Sequence, residues 1–185
     1  AEQLPQDRFS DRFTLALATL RAAGNPVGID FCKTVLLDYP EQSENVCKYL
    51  ISVAAVAGAH VAHVCTEVLQ SDGVILDWQV TWIFRTLSVV PIEFVDGAKW
   101  HALRIVTSDS FGTLARVEAA KFLASCGNLF LQHFQNLWRG APPVYRPDLI
   151  QAAAIASKHQ ASFVGPLQLS KADTILRIIV NKLTG

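Results

Sequence analysis

Residues 49–66 read YLISVAAVAGAHVAHVCT and contain no Asp, Glu, Lys or Arg. Apolar side chains recur at almost every angle around this stretch, which is typical of a helix that is buried on every side. Ser43 can cap the helix at its start, and Ser71, Asp72 and Gly73 form a sequence that is typical of a helix end. The many Ala residues keep the helix thin, so neighbouring helices are expected to approach it closely. The stretch therefore predicts a central core helix.

The same stretch is close to the roughly 20 apolar residues that a helix needs to cross a membrane. Two histidines and a threonine interrupt it, Lys48 and Glu67 bound it directly, and few of its residues are Leu, Ile or Phe. These features favour a core helix over a membrane span. A membrane is therefore not the expected partner.

The composition is that of a globular protein. The chain has 185 residues, of which 51% are hydrophobic and 17% are charged, which excludes a disordered chain and suits one domain or two small lobes. Its first residues, AEQLPQDRFSDRF, lack the basic and then apolar pattern of a signal peptide. Reduced, buried thiols without a CxxC motif favour a cytoplasmic protein. The four cysteines are Cys32, Cys47, Cys65 and Cys126.

Helical spacing of apolar residues recurs along the rest of the chain. Residues 1–8 are expected to form a loose arm. Apolar and polar residues partly alternate after Asp77, so a strand is an alternative to a helix there. Gly127 is expected to bend or break a long helix. Besides the central helix, the pattern predicts helices over residues 9–23, 31–39, 78–87, 99–106, 113–138, 148–159 and 170–183.

We therefore predict an all-α, two-lobed helical domain with a central buried apolar helix and a loose N-terminal arm. Its parts are an N-terminal arm and helix (1–20), an acidic N-lobe (21–97) and a basic C-lobe (98–185). Residues 1–98 carry 6 Lys+Arg against 12 Asp+Glu, whereas residues 99–185 carry 10 against 4. This asymmetry lets copies attract each other head to tail, or lets the basic half bind a polyanion. Spreading of the charges over unrelated faces stays open as the alternative.

The histidines of the central helix are the candidates for a metal site. His60, His63 and Glu67 are spaced i, i+3, i+7 and fall on one helix face. No fourth ligand accompanies them, whereas structural zinc sites normally have four, so core or interface histidines are favoured. The chain has no GxGxxG, GxxxxGK[ST] or GxSxG motif. We therefore expect no metal, no cofactor and no enzymatic activity.

Basic residues alternate with aromatic residues from Arg85 onward. Cations that bind phosphates and rings that stack on bases are what single-stranded nucleic acid binding needs. Aromatic residues at helical spacing more often belong to a core, which is the alternative. The candidate RNA-binding residues are Arg85, Lys99, Trp100, Arg104, Arg116, Lys121, Arg139, Tyr145 and Arg146. The candidate oligomerisation residues are Phe9, Phe13, Leu17 and Leu20.

Several segments resemble those of known nucleoproteins. Residues 28–37, GIDFCKTVLL, followed by residues 46–60, VCKYLISVAAVAGAH, resemble the paired N-lobe helices of phlebovirus-type nucleoproteins, in which Gly-aromatic-Asp precedes a helix and a second apolar helix ends in a Gly. Residues 122–140, FLASCGNLFLQHFQNLWRG, and residues 161–183, ASFVGPLQLSKADTILRIIVNKL, resemble the C-lobe helices of the same group. Flexible filamentous plant virus coat proteins are similar in overall plan.

The resemblance implies a self-assembling helical nucleoprotein, or a filamentous capsid subunit, that packages single-stranded RNA as a homo-oligomer. Its place would be the cytoplasm, or the host cytoplasm and the virion if the chain is viral. In that family basic residues that grip RNA follow the apolar helix, whereas here His60 and His63 follow Gly58. The RNA-binding candidates therefore lie mostly in the second half. The alternative function is an all-helical binding module for an apolar ligand or a partner helix, including one at a membrane.

Overall fold

The computed structural model describes the backbone of residues 6–71 and 74–159, and side chains from Phe13 onward. No residue in these ranges lies in a strand, so the prediction of an all-α fold is confirmed, and the segment after Asp77 is a helix. Short 3₁₀ turns connect several of the helices. The helices within the described ranges are α1 (Gln6–Ala23), α2 (Ile29–Asp38), α3 (Ser43–Gln70), α4 (Asp77–Leu87), α5 (Asp96–Thr107), α6 (Thr113–Ser125), α7 (Leu131–Gly140) and α8 (Arg146–His159).

The chain divides into two compact units, which confirms a two-lobed protein. Unit 1 is Ala1–Ala98 and unit 2 is Lys99–Gly185. Residues 1–5 of the predicted arm and the predicted helix over residues 170–183 lie outside the described residues. Helix α1 begins at Gln6, so residues 6–8 are helical rather than loose, because no glycine or proline interrupts the chain between them and the following helix. The assignment of residues 1–20 as a part of its own stays a prediction.

Helix α3 is the centre of unit 1 and packs against α1, α2 and α4. Its core face carries large apolar side chains at helical spacing, and Val46, Leu50, Val53, Val61 and Val68 are fully buried. Burial of each such side chain contributes about 1.5–3 kcal/mol relative to exposure. The long apolar stretch therefore forms the helix against which the other helices of the unit fold.

The opposite face of α3 is exposed, so the prediction of burial on every side is wrong. This helix, with the turn before it, is the stretch among the described residues that is long and apolar enough to cross a membrane, and half of its apolar window is buried inside the protein. The small side chains explain why the prediction failed. An alanine counts as apolar in the sequence pattern, but leaving its small side chain in water costs little free energy. The exposed residues are Ser52, Ala55, Val56, Ala59, His60 and His63.

The ends and the middle of α3 show what its small residues do. Ser43 does not cap the helix, because the preceding 3₁₀ turn leads directly into it and Ser43 is already helical. The helix is kinked at Ala57, where φ is −133° and ψ is 30°. A Cβ atom on Gly58 would lie 2.9 Å from Cδ of Pro91, so only glycine permits this approach. The expected close packing on a thin helix is confirmed at this point.

Unit 2 is built around α6, which packs against α7 and α8. Ala115, Val117, Ala119 and Phe122 of α6 are fully buried. Gly127 separates α6 from α7 with φ +68°, so the predicted break of the long helix at this glycine is confirmed. The backbone N–H of Gly127 donates to Ala124 O, and that of the next residue donates to Leu123 O, as in a Schellman helix end.

Candidate nucleic-acid interface

The predicted RNA-binding residues are distributed over both units, in five helices and one 3₁₀ turn. Arg85 lies in the last turn of α4 in unit 1, and the other eight lie in unit 2. Each unit is therefore considered by itself. In unit 2, α5 carries Lys99, Trp100 and Arg104, α6 carries Arg116 and Lys121, α7 carries Arg139, and Tyr145 and Arg146 lie in the 3₁₀ turn before α8 and at its first residue.

On α5 a ring and a cation share one exposed face. Trp100 is 68% exposed, and Arg104 follows it at i+4 and is also exposed. Lys99 is half-buried. Burial and, secondarily, the charge of Arg104 lower the pKa of His101, so this histidine adds no charge to the face at neutral pH. The face offers one ring and one permanent cation to solvent.

The two cations of α6 are held by acidic side chains of the same unit. Nη1 of Arg116 lies 3.0 Å from Oδ1 of Asp109, and its Nε donates to Val106 O. Nζ of Lys121 lies 3.3 Å from Glu118 and 3.1 Å from Asp148. The side chains of Arg116 and Lys121 are only 18% and 23% exposed. Much of their charge is offset before any phosphate approaches.

This pairing uses the acidic side chains of unit 2 as far as it is described. Residues 99–159 contain seven Lys and Arg but only three Asp and Glu, and those three are the partners of Arg116 and Lys121. Arg104, Arg139 and Lys158 are exposed and have no acidic partner among the described residues. Lys158, in the last turn of α8, was missed as a candidate, because no ring stands beside it in the sequence.

Arg146 and Trp138 form a close contact between a cation and a ring. The guanidinium carbon of Arg146 lies 3.9 Å from the centroid of the Trp138 ring. That ring is stacked in turn on Phe134, with 6.0 Å between the centroids and 26° between the planes. Trp138 was not among the candidates. The i, i+4 spacing of Phe134 and Trp138 is the sequence signal that could have identified Trp138 as part of a stack of rings.

Arg85 makes a similar contact in unit 1. Its guanidinium carbon lies 5.0 Å from the centroid of Trp82, and Nζ of Lys48 lies 5.6 Å from the same centroid. Lys48 is also paired with Glu44. The ring therefore serves two cations of the acidic unit, and the structure gives Arg85 a local role beside any contact with RNA.

The candidate oligomerisation residues whose side chains are described pack toward the core of their own unit. Phe13 and Leu17 are buried, Leu20 is half-buried, and the side chain of Phe9 lies outside the described residues. Phe13 contacts Phe31 edge to face, with 6.1 Å between the ring centroids. Helix α1 thus packs on its own α3, and a contact of this stripe with another subunit stays a prediction.

His63 and Glu67 take part in an ion-pair cluster on α3. Nζ of Lys33 lies 3.0 Å from Oε1 of Glu67, and Nε2 of His63 lies 3.4 Å from Oε2. The hydrogen bond from Lys33, with a smaller contribution from His63, lowers the pKa of the Glu67 carboxyl. Within residues 6–71 and 74–159, no three His, Cys, Asp or Glu side chains are grouped so that they could hold a metal ion.

An open groove in unit 1 lies beside this cluster. It has a volume of about 370 Å³ and runs between the exposed face of α3 and the start of α5. The apolar ring of Phe94 is 45% exposed there. The residues that line the groove are Ala59, Ala62, His63, Thr66, Glu93, Phe94 and Gly97.

Comparisons with protein-family models, with curated proteins and with solved structures find no match. The similarity to phlebovirus-type nucleoproteins and filamentous coat proteins therefore stays a hypothesis drawn from sequence patterns. Function has to be argued from the side chains themselves.

Proposed function

We propose that this chain is a subunit of a self-assembling helical nucleoprotein or filamentous capsid that packages single-stranded RNA in the cytoplasm or, if it is viral, in the host cytoplasm and the virion. One observation carries the proposal. In unit 2 the described acidic residues are paired with Arg116 and Lys121, which leaves exposed cations elsewhere on the unit. A unit whose net charge is cationic, with its acidic residues already paired, is suited to a polyanion.

The exposed rings give the same unit a means to bind bases. Trp100 stands one turn from Arg104, so a base and a phosphate of one strand can be bound by a single helix face. Tyr145 and Arg146 repeat the combination before and at the start of α8. Ring stacking tolerates every base, which suits a protein that packages RNA without regard to its sequence.

Assembly follows from the charge of the two halves. The first half carries a net charge of −6 and the second half +6, by the counts of 6 against 12 and 10 against 4. Copies that approach with unlike halves attract each other, and the neutral total avoids repulsion among many packed subunits.

The test uses the purified full chain. Size-exclusion chromatography with light scattering and absorbance at 260 and 280 nm is expected to show large particles with excess absorbance at 260 nm. After nuclease and high-salt treatment, added single-stranded RNA is expected to restore the particles. A monomer that binds no RNA at low salt contradicts the proposal.

A second candidate function is a helical module that binds an apolar ligand or a partner helix. The observation that favours it is the exposed face of α3 with the groove beside it, where Val56 is 74% exposed and Phe94 is 45% exposed. Uncharged phosphatidylcholine vesicles and an apolar fluorescent probe test this function. Binding that is abolished by Ala59→Glu, together with no affinity for RNA, would replace the first proposal by the second.

A further inference from the structure

We propose that Trp138 and Arg146 form a platform on which an unpaired nucleobase stacks. This inference rests on the proposed RNA-binding function and assigns one specific contact within it. Its ligand is a single-stranded nucleic acid, because the bases of a duplex are already stacked on each other and paired.

Three planar groups form a ladder in unit 2. Phe134 is fully buried, Trp138 stacks on it and is half-buried, and the guanidinium of Arg146 lies 3.9 Å from the Trp138 centroid and is half-buried. The ladder therefore begins at a core ring and ends in a half-buried cation. A nucleobase, which is planar and has a polarisable face, extends such a ladder by one member.

The charge of Arg146 is not neutralised by an acid in the described chain. Asp148, the acid nearest to it in sequence, is engaged by Lys121 at 3.1 Å. Arg139, which follows Trp138, is exposed and has no acidic partner among the described residues either. One strand can thus place a base on Arg146 and a phosphate near Arg139, as single-stranded RNA binding requires.

The contact distance distinguishes this pair from the similar pair in unit 1. The guanidinium carbon of Arg146 is within van der Waals contact of its ring at 3.9 Å, whereas that of Arg85 lies 5.0 Å from Trp82. Trp82 is also shared with Lys48, which is paired with Glu44. The pair in unit 1 therefore differs from the pair in unit 2 in its longer contact and in sharing its ring with a second, paired cation.

The experiment measures the affinity of the full chain for short oligo-A and oligo-U strands and for a duplex of equal length, at fixed salt. Arg146→Lys keeps the charge but removes the planar group, so the affinity for oligo-A is expected to fall about tenfold, and that for oligo-U less, because purines stack better. The duplex affinity and the salt slope are expected to stay unchanged. The control is Arg21→Lys, an exposed arginine in the last turn of α1 in unit 1 that is not among the RNA-binding candidates, and it is expected to leave all three affinities as they are.

The outcomes separate the platform from the wider proposal. If the parent binds oligo-A and Arg146→Lys binds it equally well, the platform is overturned and RNA binding stands. If the variant loses affinity for the duplex as much as for oligo-A, the guanidinium of Arg146 contacts the phosphate backbone rather than a base, and the platform is likewise overturned. A parent without affinity for any strand overturns both proposals. Trp138→Leu, checked for an unchanged circular dichroism spectrum, is the second variant and is expected to show the same selective loss.

Discussion

The two units hold their cations in different ways. In unit 1, Lys33 and Lys48 are paired with carboxylates of a unit that is rich in them, and Arg85 lies over a ring. In unit 2, two cations are bound to the three described acidic residues, and Arg104, Arg139 and Lys158 are exposed to solvent without an acidic partner among the described residues. Net charge alone therefore does not say which cations can bind a polyanion, because the positions of the few acidic side chains decide it.

The thiols are expected to show the largest difference between the units. Burial raises the pKa of Cys32 and Cys47 from 9.0 to about 12, which lowers their thiolate fraction about a thousandfold at pH 8. Burial also raises the pKa of Cys65, whereas Cys126 of unit 2 is half-buried. A thiol reagent at pH 8 is expected to modify Cys126 alone, and the other three only after denaturation. Rapid modification of two or more thiols in the native protein would contradict the packing of unit 1.

The comparison between paired and unpaired cations within unit 2 can be sharpened by stability measurements. Lys121→Ala removes one partner of Glu118, whose side chain is 5% exposed, and is expected to lower the free energy of unfolding by about 1–3 kcal/mol. Lys158→Ala removes an exposed cation without an acidic partner and is expected to change it by less than about 0.5 kcal/mol. Urea denaturation measures both. Equal stabilities of the two variants would show that the ion pairs of Lys121 contribute nothing.

Two glycines offer a comparison of packing between the units. Gly58→Ala places a Cβ 2.9 Å from Cδ of Pro91 and is expected to cost about 1–2 kcal/mol of stability in unit 1. Gly140→Ala in unit 2 meets no atom within 4 Å and is expected to be neutral or stabilising by up to about 1 kcal/mol, because alanine favours the helix. Thermal denaturation followed by circular dichroism reports both changes. A stable Gly58→Ala protein would mean that the Pro91 turn can move away from α3.

The ion-pair cluster of unit 1 is expected to give the smallest effect. Because the pKa of Glu67 in the folded protein lies below its unfolded value of about 4.5, its stabilisation is present above that pH and is lost as the pH falls through the lowered value. Glu67→Gln is therefore expected to reduce the difference in stability between pH 7 and pH 3 slightly. Glu41→Gln, at an exposed position, is the control. If the stability of the parent and of Glu67→Gln depends on pH in the same way, the Glu67 carboxyl makes no such contribution.

Much of the fold follows from local sequence patterns. Helix ends at Ser71 and Gly127 were predicted where the structure has them, because glycine and turn residues act locally. The exposed face of α3 could not be predicted, since it depends on which neighbouring helices cover which face. The availability of the cations could not be predicted either, because Lys121 and Asp148 are 27 residues apart in sequence and meet only when α6 packs against α8.

The central claim is that the cations of unit 2 without acidic partners bind single-stranded RNA. The most direct measurement is the salt dependence of RNA affinity for the full chain, for R104Q/R139Q and for R116Q/K121Q, two variants with the same loss of charge. We predict that the slope of log affinity against log salt is shallower by roughly 1.4 in R104Q/R139Q, at roughly 0.7 per phosphate contact, and unchanged in R116Q/K121Q. The same slope in R104Q/R139Q and the parent, or equal changes in both variants, would contradict the claim.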